Sequence, residues 1–289
     1  MTLAPGDLAQ EARAPEQALA RLRQEIARYE RLVVAFSGGA DSALLARVAT
    51  DVLGREAVCC ATAVSASLAP SEFDDVRRLA AEWGLRLATV ATGELDNPDY
   101  VRNDVDRCAH CKSALMDELA ELAAAEDAVI ALGVNCDDLG DHRPGQSVAG
   151  GRGAVFPLVR AGLTKRDVRA ASRLLGLRTW DKPAAACLAS RLPHGTPVTL
   201  RRLDQVARAE ESLRQLGFRQ LRVRHLEDTA RVEIALEEMP ALLERREGIV
   251  AALHAAGYRY VTLDLEGFRS GNLARAALAA RHDSREGQL

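Results

Sequence analysis

The sequence predicts an α/β protein built on a doubly wound parallel sheet, with a smaller α+β domain at the C-terminal end. Three observations carry this. Short apolar runs alternate with amphipathic helical stretches through the first two thirds of the chain. A glycine-rich turn joins the first apolar run to the next helix. After a Pro-His-Gly-Thr-Pro turn at 193–197 the alternation gives way to one helix, two alternating strands, a helical stretch and a last strand.

The elements follow in order. Leu19, Leu22, Ile26 and Tyr29 recur at helical spacing, so residues 15–30 read as a helix. Leu32 to Phe36 is uniformly apolar, as suits a strand buried on both faces. Helix 43–52, strand 57–64, helix 71–83 with Ser71 as N-cap, strand 85–90, helix 111–125 and strand 128–134 complete the repeat. Residues 140–153, rich in Gly, Asp and Arg, read as a long functional loop. Thr164 caps a further helix to 175. The organisation expected is a first domain over 15–197 and a second over 198–280, concerned with substrate binding and oligomerisation.

Composition bounds the function. A chain of 289 residues with 27% charged residues and a formal net charge of -3 has no global positive field to draw it to nucleic acid. No run approaches the roughly 18 apolar residues of a membrane span. The N-terminus has no apolar signal core, so the expected compartment is the cytoplasm. Nearly all basic residues are Arg; Lys112, Lys165 and Lys182 are the exceptions.

Ser37-Gly38-Gly39-Ala40-Asp41-Ser42 lies between a strand and a helix. Glycines admit close approach of backbone N–H groups to phosphate oxygens, two hydroxyls add donors, and a helix N-terminus favours negative charge. Asp41 would repel phosphate alone, but it suits Mg²⁺ held between itself and the phosphates. The spacing is not that of a Walker A loop. Asp137 and Asp138 follow a strand end, where a second Mg²⁺ or substrate contact would fall.

Six cysteines divide by context. Cys59 and Cys60 sit inside a strand and suit the core. Cys136 lies within Asn135-Cys136-Asp137-Asp138, where packing and function are equally good readings. Cys108 and Cys111 form a C-x2-C element before a helix, and Cys187 is a third candidate. These three suit three irons of a 4Fe–4S cluster with one iron open; zinc or a redox disulfide are the other readings. Lys112 and Lys182 would neutralise a substrate or a leaving phosphate. Arg222 and Arg224 share one strand face and would grip a substrate phosphate by bidentate contacts, or line a solvated face.

The glycine loop resembles the PP-loop of N-type ATP pyrophosphatases, a Rossmann-like fold. Together with Gly133–Asp138, Leu139–Gly145, Trp180–Pro183, Cys187–Arg191 and Leu221–His225, over roughly residues 15–275, it is similar to the LarE family. That family makes the nickel-pincer nucleotide cofactor of lactate racemase. The resemblance implies that ATP adenylates the carboxylates of pyridinium-3,5-biscarboxylic acid mononucleotide, and that sulfur then displaces AMP. Ser37, Gly38, Gly39, Asp41, Ser42, Gly133, Asn135, Asp137 and Asp138 would bind the nucleotide. Arg222 and Arg224, with Glu210, Glu233, Ser190 and Arg191, match the region around the substrate phosphate. Some members sacrifice one Cys at the position of Cys187; others carry all three and bind a 4Fe–4S cluster whose open iron carries sulfide. With Cys108, Cys111 and Cys187 present, this chain resembles the cluster type, and a homo-oligomer is expected. A tRNA thiolation enzyme and an ATP-binding sensor with structural zinc are the competing readings.

Overall fold

The computed structural model describes residues 15–139, 149–183 and 186–269. Contacts divide the chain into two compact units. Of the described residues, the first takes 15–65, 72–93, 108–139 and 149–183; the second takes 66–71, 94–107 and 186–269.

The first unit is built on a four-stranded parallel sheet of order β3-β2-β1-β4. Its strands are β1 (Leu32–Ala35), β2 (Val58–Val64), β3 (Leu87–Ala91) and β4 (Val129–Leu132). Strand side chains alternate between faces, and each face has its own core. Leu32, Val34, Cys60 and Ala131 pack with α1 (Pro15–Ile26), α2 (Ala40–Leu53), α3 (Pro70–Glu82) and α7 (Lys165–Leu174). Val33, Cys59, Ala61, Ile130 and Leu132 pack with Met116, Leu119 and Ala123 of α5 (Arg107–Glu126). Helices on both faces explain why the strands read as continuous apolar runs. The expected doubly wound sheet is present, and Cys59 and Cys60 are core residues, with burial pushing the Cys60 thiol up to about 12.

Three local expectations need correction. Helix α3 starts at Pro70, so Ser71 lies inside its first turn rather than at the N-cap; proline's fixed φ suits the first helical position. Helix α5 starts at Arg107, which puts Cys108 inside the helix rather than before it. A five-residue helix α4 (Pro98–Arg102), capped by the Asn97 side chain, and a four-residue α6 (Pro157–Arg160) were not expected. The Thr164 cap is present as a full capping box with Asp167. Most of the long loop at 140–153 lies outside the described residues.

The second unit carries a three-stranded sheet of order β5-β6-β7. Strands β5 (Leu221–Leu226) and β6 (Thr229–Ile234) are antiparallel, and β7 (Tyr260–Leu263) runs parallel to β6. Val223, Val232 and Ile234 pack against Ala209 and Leu213 of α8 (Leu200–Gln215). Leu242 of α9 (Met239–Glu244) and Ile249 and Leu253 of α10 (Arg246–Ala255) complete that core. No helix among the described residues is long and apolar enough to cross a membrane.

Two features of the first unit lock its elements together. Gly133, just past β4, lies so close to α2 that a Cβ there would sit 2.7 Å from the Ser42 backbone nitrogen and 2.9 Å from its Cα. Asp75 of α3 accepts hydrogen bonds from Lys182 (2.7 Å) and Arg178 (2.8 Å), with Glu72 2.9 Å from the same Lys182 ammonium. Burial opposes ionisation of Asp75, but the two cationic donors outweigh it and hold the carboxyl below the usual range. Lys182 is therefore a tie between α3 and the chain after α7.

Gly133→Ala must move backbone, so it is expected to destabilise the protein by roughly 1–3 kcal/mol, read by urea unfolding; an unchanged midpoint would refute the close approach. The Asp75 contribution to stability is fully present above the ordinary carboxylate pKa and is lost as pH falls through the depressed native value. Asp75→Asn should therefore flatten the acid limb of the stability–pH curve, and an unaltered limb would show that the pair is not formed.

Candidate active site

The glycine loop leaves the carboxyl end of β1. Thr62 of the neighbouring strand donates to the Phe36 carbonyl at 2.6 Å, fixing the last residue before the turn. Gly38 takes φ +69°, a conformation L side chains rarely adopt, and a Cβ there would meet Val76 at 2.9 Å. Gly39 occupies the N-cap of α2 with no side-chain cap bond. The first-turn N–H groups of α2 therefore have no side-chain acceptor, which suits an anion. The serine hydroxyls hold the turn together. Ser42 Oγ donates to the Gly39 carbonyl at 3.2 Å, accepts from the Ser37 backbone N–H at 3.2 Å and lies 3.1 Å from Ser37 Oγ.

Asp41 is gripped from two other segments. Asn135 Nδ2 donates to its Oδ1 at 3.0 Å, and Lys165 Nζ donates to its Oδ2. The turn after β4 is self-bonded, with Asn135 N–H to Asp138 at 3.1 Å and Asp137 N–H to Asn135 Oδ1 at 3.0 Å. The Lys165 backbone N–H donates to Asp137 at 2.8 Å. Gly133, Asn135, Asp137 and Asp138 thus meet the glycine loop through Ser42, Asp41 and Lys165. A lysine at the first position of a helix is opposed by the helix dipole, so Lys165 is placed against local preference, and the carboxylate of Asp41 offsets that. The oxygen-rich set of Asp41 and Asp137 has the hard-donor chemistry that Mg²⁺ requires. Cys136, between these residues, is half-buried; burial, then Asp137 and Asp167, push its thiol up.

Cys108 and Cys111 occupy one face at the start of α5, three residues apart. Cys108 is exposed and Cys111 half-buried. Burial pushes the neighbouring Lys112 ammonium below the usual lysine range, while the charges of Cys111 and Cys108 oppose that shift. Cys187, in the second unit, is exposed just before the turn Leu188–Arg191. Among the described residues of either unit, no three His, Cys, Asp or Glu side chains are gathered to hold a metal.

The second unit gathers the predicted substrate-phosphate residues into a buried cluster rather than a solvated face. Arg191 makes a forked pair with Glu210 at 2.8 and 3.1 Å and also donates to the Cys187 carbonyl and Ser190 Oγ. Arg224 makes a forked pair with Glu233 at 2.9 and 3.1 Å and donates to the Ser190 carbonyl at 2.8 Å. Glu210 further accepts from Arg214 and from the Val223 backbone N–H. Glu210 and Glu233 are wholly buried. Their role is to hold guanidiniums, since a carboxylate beside a phosphate would repel it. Arg222 differs. It is 6% exposed, and among the described residues it has no carboxylate partner; its guanidinium lies 4.7 Å over the Phe268 ring.

Sequence reasoning missed two residues at these places. Lys165 was visible only as one of three lysines in an arginine-rich chain. Phe268 carried no local signal.

No family profile matches the chain. An uncharacterised protein from Synechocystis sp. is 44% identical over 263 residues, covering 90% of this chain and 98% of that one. The pyridinium-3,5-bisthiocarboxylic acid mononucleotide synthase of Lactiplantibacillus plantarum is 38% identical over 245 residues, covering 84% of this chain and 89% of the synthase. A glutamine-dependent NAD(+) synthetase from Rhodobacter capsulatus is 37% identical over 94 residues, 32% of this chain and 16% of its own length. On the length and identity of the synthase match, this chain belongs to the pyridinium-3,5-bisthiocarboxylic acid mononucleotide synthase family, LarE.

Proposed function

We propose that this protein is an ATP-dependent sulfur transferase that converts pyridinium-3,5-biscarboxylic acid mononucleotide into the bis-thiocarboxylic acid mononucleotide, the precursor of the nickel-pincer cofactor. The observation that carries the reading is the near full-length match to a synthase of that product, and the uncapped glycine turn at α2 supports its ATP-dependent part. A carboxylate is a poor electrophile. Adenylation at the α-phosphate, with loss of pyrophosphate, gives it AMP as a leaving group, which sulfur then displaces.

The residues divide the work. Ser37, Gly38, Gly39 and Ser42 form the turn whose backbone N–H groups would bind pyrophosphate oxygens. Asp41, with Asp137 and Asp138 nearby, would hold Mg²⁺, which spreads the negative charge of the phosphates. Lys165, bonded to Asp41, is the cation we assign to the departing pyrophosphate. Arg222 is the anion receptor of the second unit, held beside Arg191 and Arg224, which Glu210 and Glu233 already neutralise.

Cys108, Cys111 and Cys187 are the soft ligands that would hold a 4Fe–4S cluster, which supplies a replenishable sulfide nucleophile. Lys112 stands beside two of these thiols, where its charge would neutralise the substrate or the leaving phosphate. Cys187 is also exposed, which suits the alternative in which its own sulfur is given up.

Two experiments test this. Lys165→Met should lower the rate of AMP and pyrophosphate formation by about 10²–10³-fold with an unchanged melting temperature; full activity would remove Lys165 from the site. Anaerobically purified protein should contain about four irons per chain, and Cys108→Ala should lose them together with multiple turnover. Iron-free protein that turns over once, with Cys187 lighter by the elements of hydrogen sulfide, would overturn the cluster in favour of sacrificial donation.

A further inference from the structure

Among the described residues of the arginine cluster, Arg191 and Arg224 each have a buried glutamate in a forked geometry, and Arg222 has none. Desolvation, then repulsion from Arg191 and Arg224, pulls Arg222 below the usual arginine range. A guanidinium that is 6% exposed, without a carboxylate partner among the described residues and flanked by two others is costly to hold in place. The charges of Glu233 and Glu210 offset part of that cost, and its one described direct contact is the face of Phe268, 4.7 Å from ring centroid to guanidinium carbon.

Phe268 is itself fixed. Its backbone N–H donates to the Ile234 carbonyl at 2.7 Å, at the end of β6. The residue before it, Gly267, takes φ +73°, and a Cβ there would lie 3.0 Å from that same carbonyl and 2.8 Å from Leu236. The turn at 264–267, closed by the Gly267 N–H to the Asp264 carbonyl at 3.0 Å, therefore delivers the ring to one place.

We propose that Phe268 is a positioning residue for anion recognition: it clamps the Arg222 guanidinium by its face, leaving the planar donor edge for a phosphomonoester. A ring is suited to this because it satisfies the cation without using its N–H donors. A glutamate in the same place would take those donors and cancel the charge that the anion needs. The inference rests on the reading of Arg222 as the receptor of the substrate phosphate and names what makes that receptor selective.

The test uses full-length protein and two probes, nicotinamide mononucleotide and its dephosphorylated nucleoside, with binding followed by calorimetry and turnover followed with the biscarboxylic substrate. Phe268→Leu should weaken mononucleotide binding by roughly 3- to 30-fold, the range of a cation–π contact. It should raise KM with kcat, ATP KM and melting temperature unchanged, and leave the weak binding of the nucleoside as it is. Phe268→Tyr should restore the mononucleotide affinity. If Arg222→Lys weakens mononucleotide binding while Phe268→Leu does not, the positioning role is wrong and the receptor stands. If neither substitution changes mononucleotide binding, the receptor assignment fails too. If Phe268→Leu lowers the melting temperature and binding of both probes alike, the ring is only structural and the proposal is overturned.

Discussion

The contact between Gly133 and the Ser42 backbone is the constraint on which the geometry around the glycine loop depends. It brings the turn after β4 against the first turn of α2 at a separation that no side chain permits. From there the rest is short-range. Asn135, two residues on, reaches Asp41, and Asp137, two residues further, receives the first N–H of α7. That N–H belongs to Lys165, whose side chain returns to Asp41. A close backbone approach thus converts three sequence-distant turns into one set of donors and acceptors, and every member is oriented by a partner that is itself bonded.

The second unit solves a different problem, the burial of several like charges. Three guanidiniums gathered beside one another would repel strongly, and a buried charge without a partner is expensive. Two wholly buried glutamates meet that demand. Glu210 takes Arg191, Arg214 and a backbone N–H, and Glu233 takes Arg224 and Arg231. Each carboxylate is shared by two guanidiniums, and Arg222 is the arginine of the strand pair that, among the described residues, neither carboxylate takes.

The fold class was legible because the strands announce themselves as apolar runs and the helices as amphipathic ones. What the sequence could not show are boundaries set by distant contacts. Helix α5 begins early because Arg107 bonds Asn103 and the Ala189 carbonyl, 82 residues away. Helix α4 is too short for periodicity, although its Asn-Pro start was a readable cap. The glycine loop is a local pattern and was read directly. Lys165 meets its carboxylate across 124 residues of chain, which no spacing argument reaches. The pairing of Arg222 with Arg224 on one face followed from the strand period. The difference between them did not, because it depends on which one Glu233 takes and where the Phe268 turn delivers its ring.

The three lysines make a final point about residue choice in a chain whose 38 basic residues are otherwise arginine. Each sits where a compact ammonium does what a guanidinium would not. Lys182 presents one point charge to Glu72 and Asp75 together at 2.9 and 2.7 Å, where a planar fork would commit to one carboxylate. Lys165 stands at a helix N-terminus, where its ammonium meets Asp41 while its backbone N–H serves Asp137. Lys112 is pulled below the usual lysine range by burial, and arginine, which stays charged at any accessible pH, would be the costlier cation to hold there.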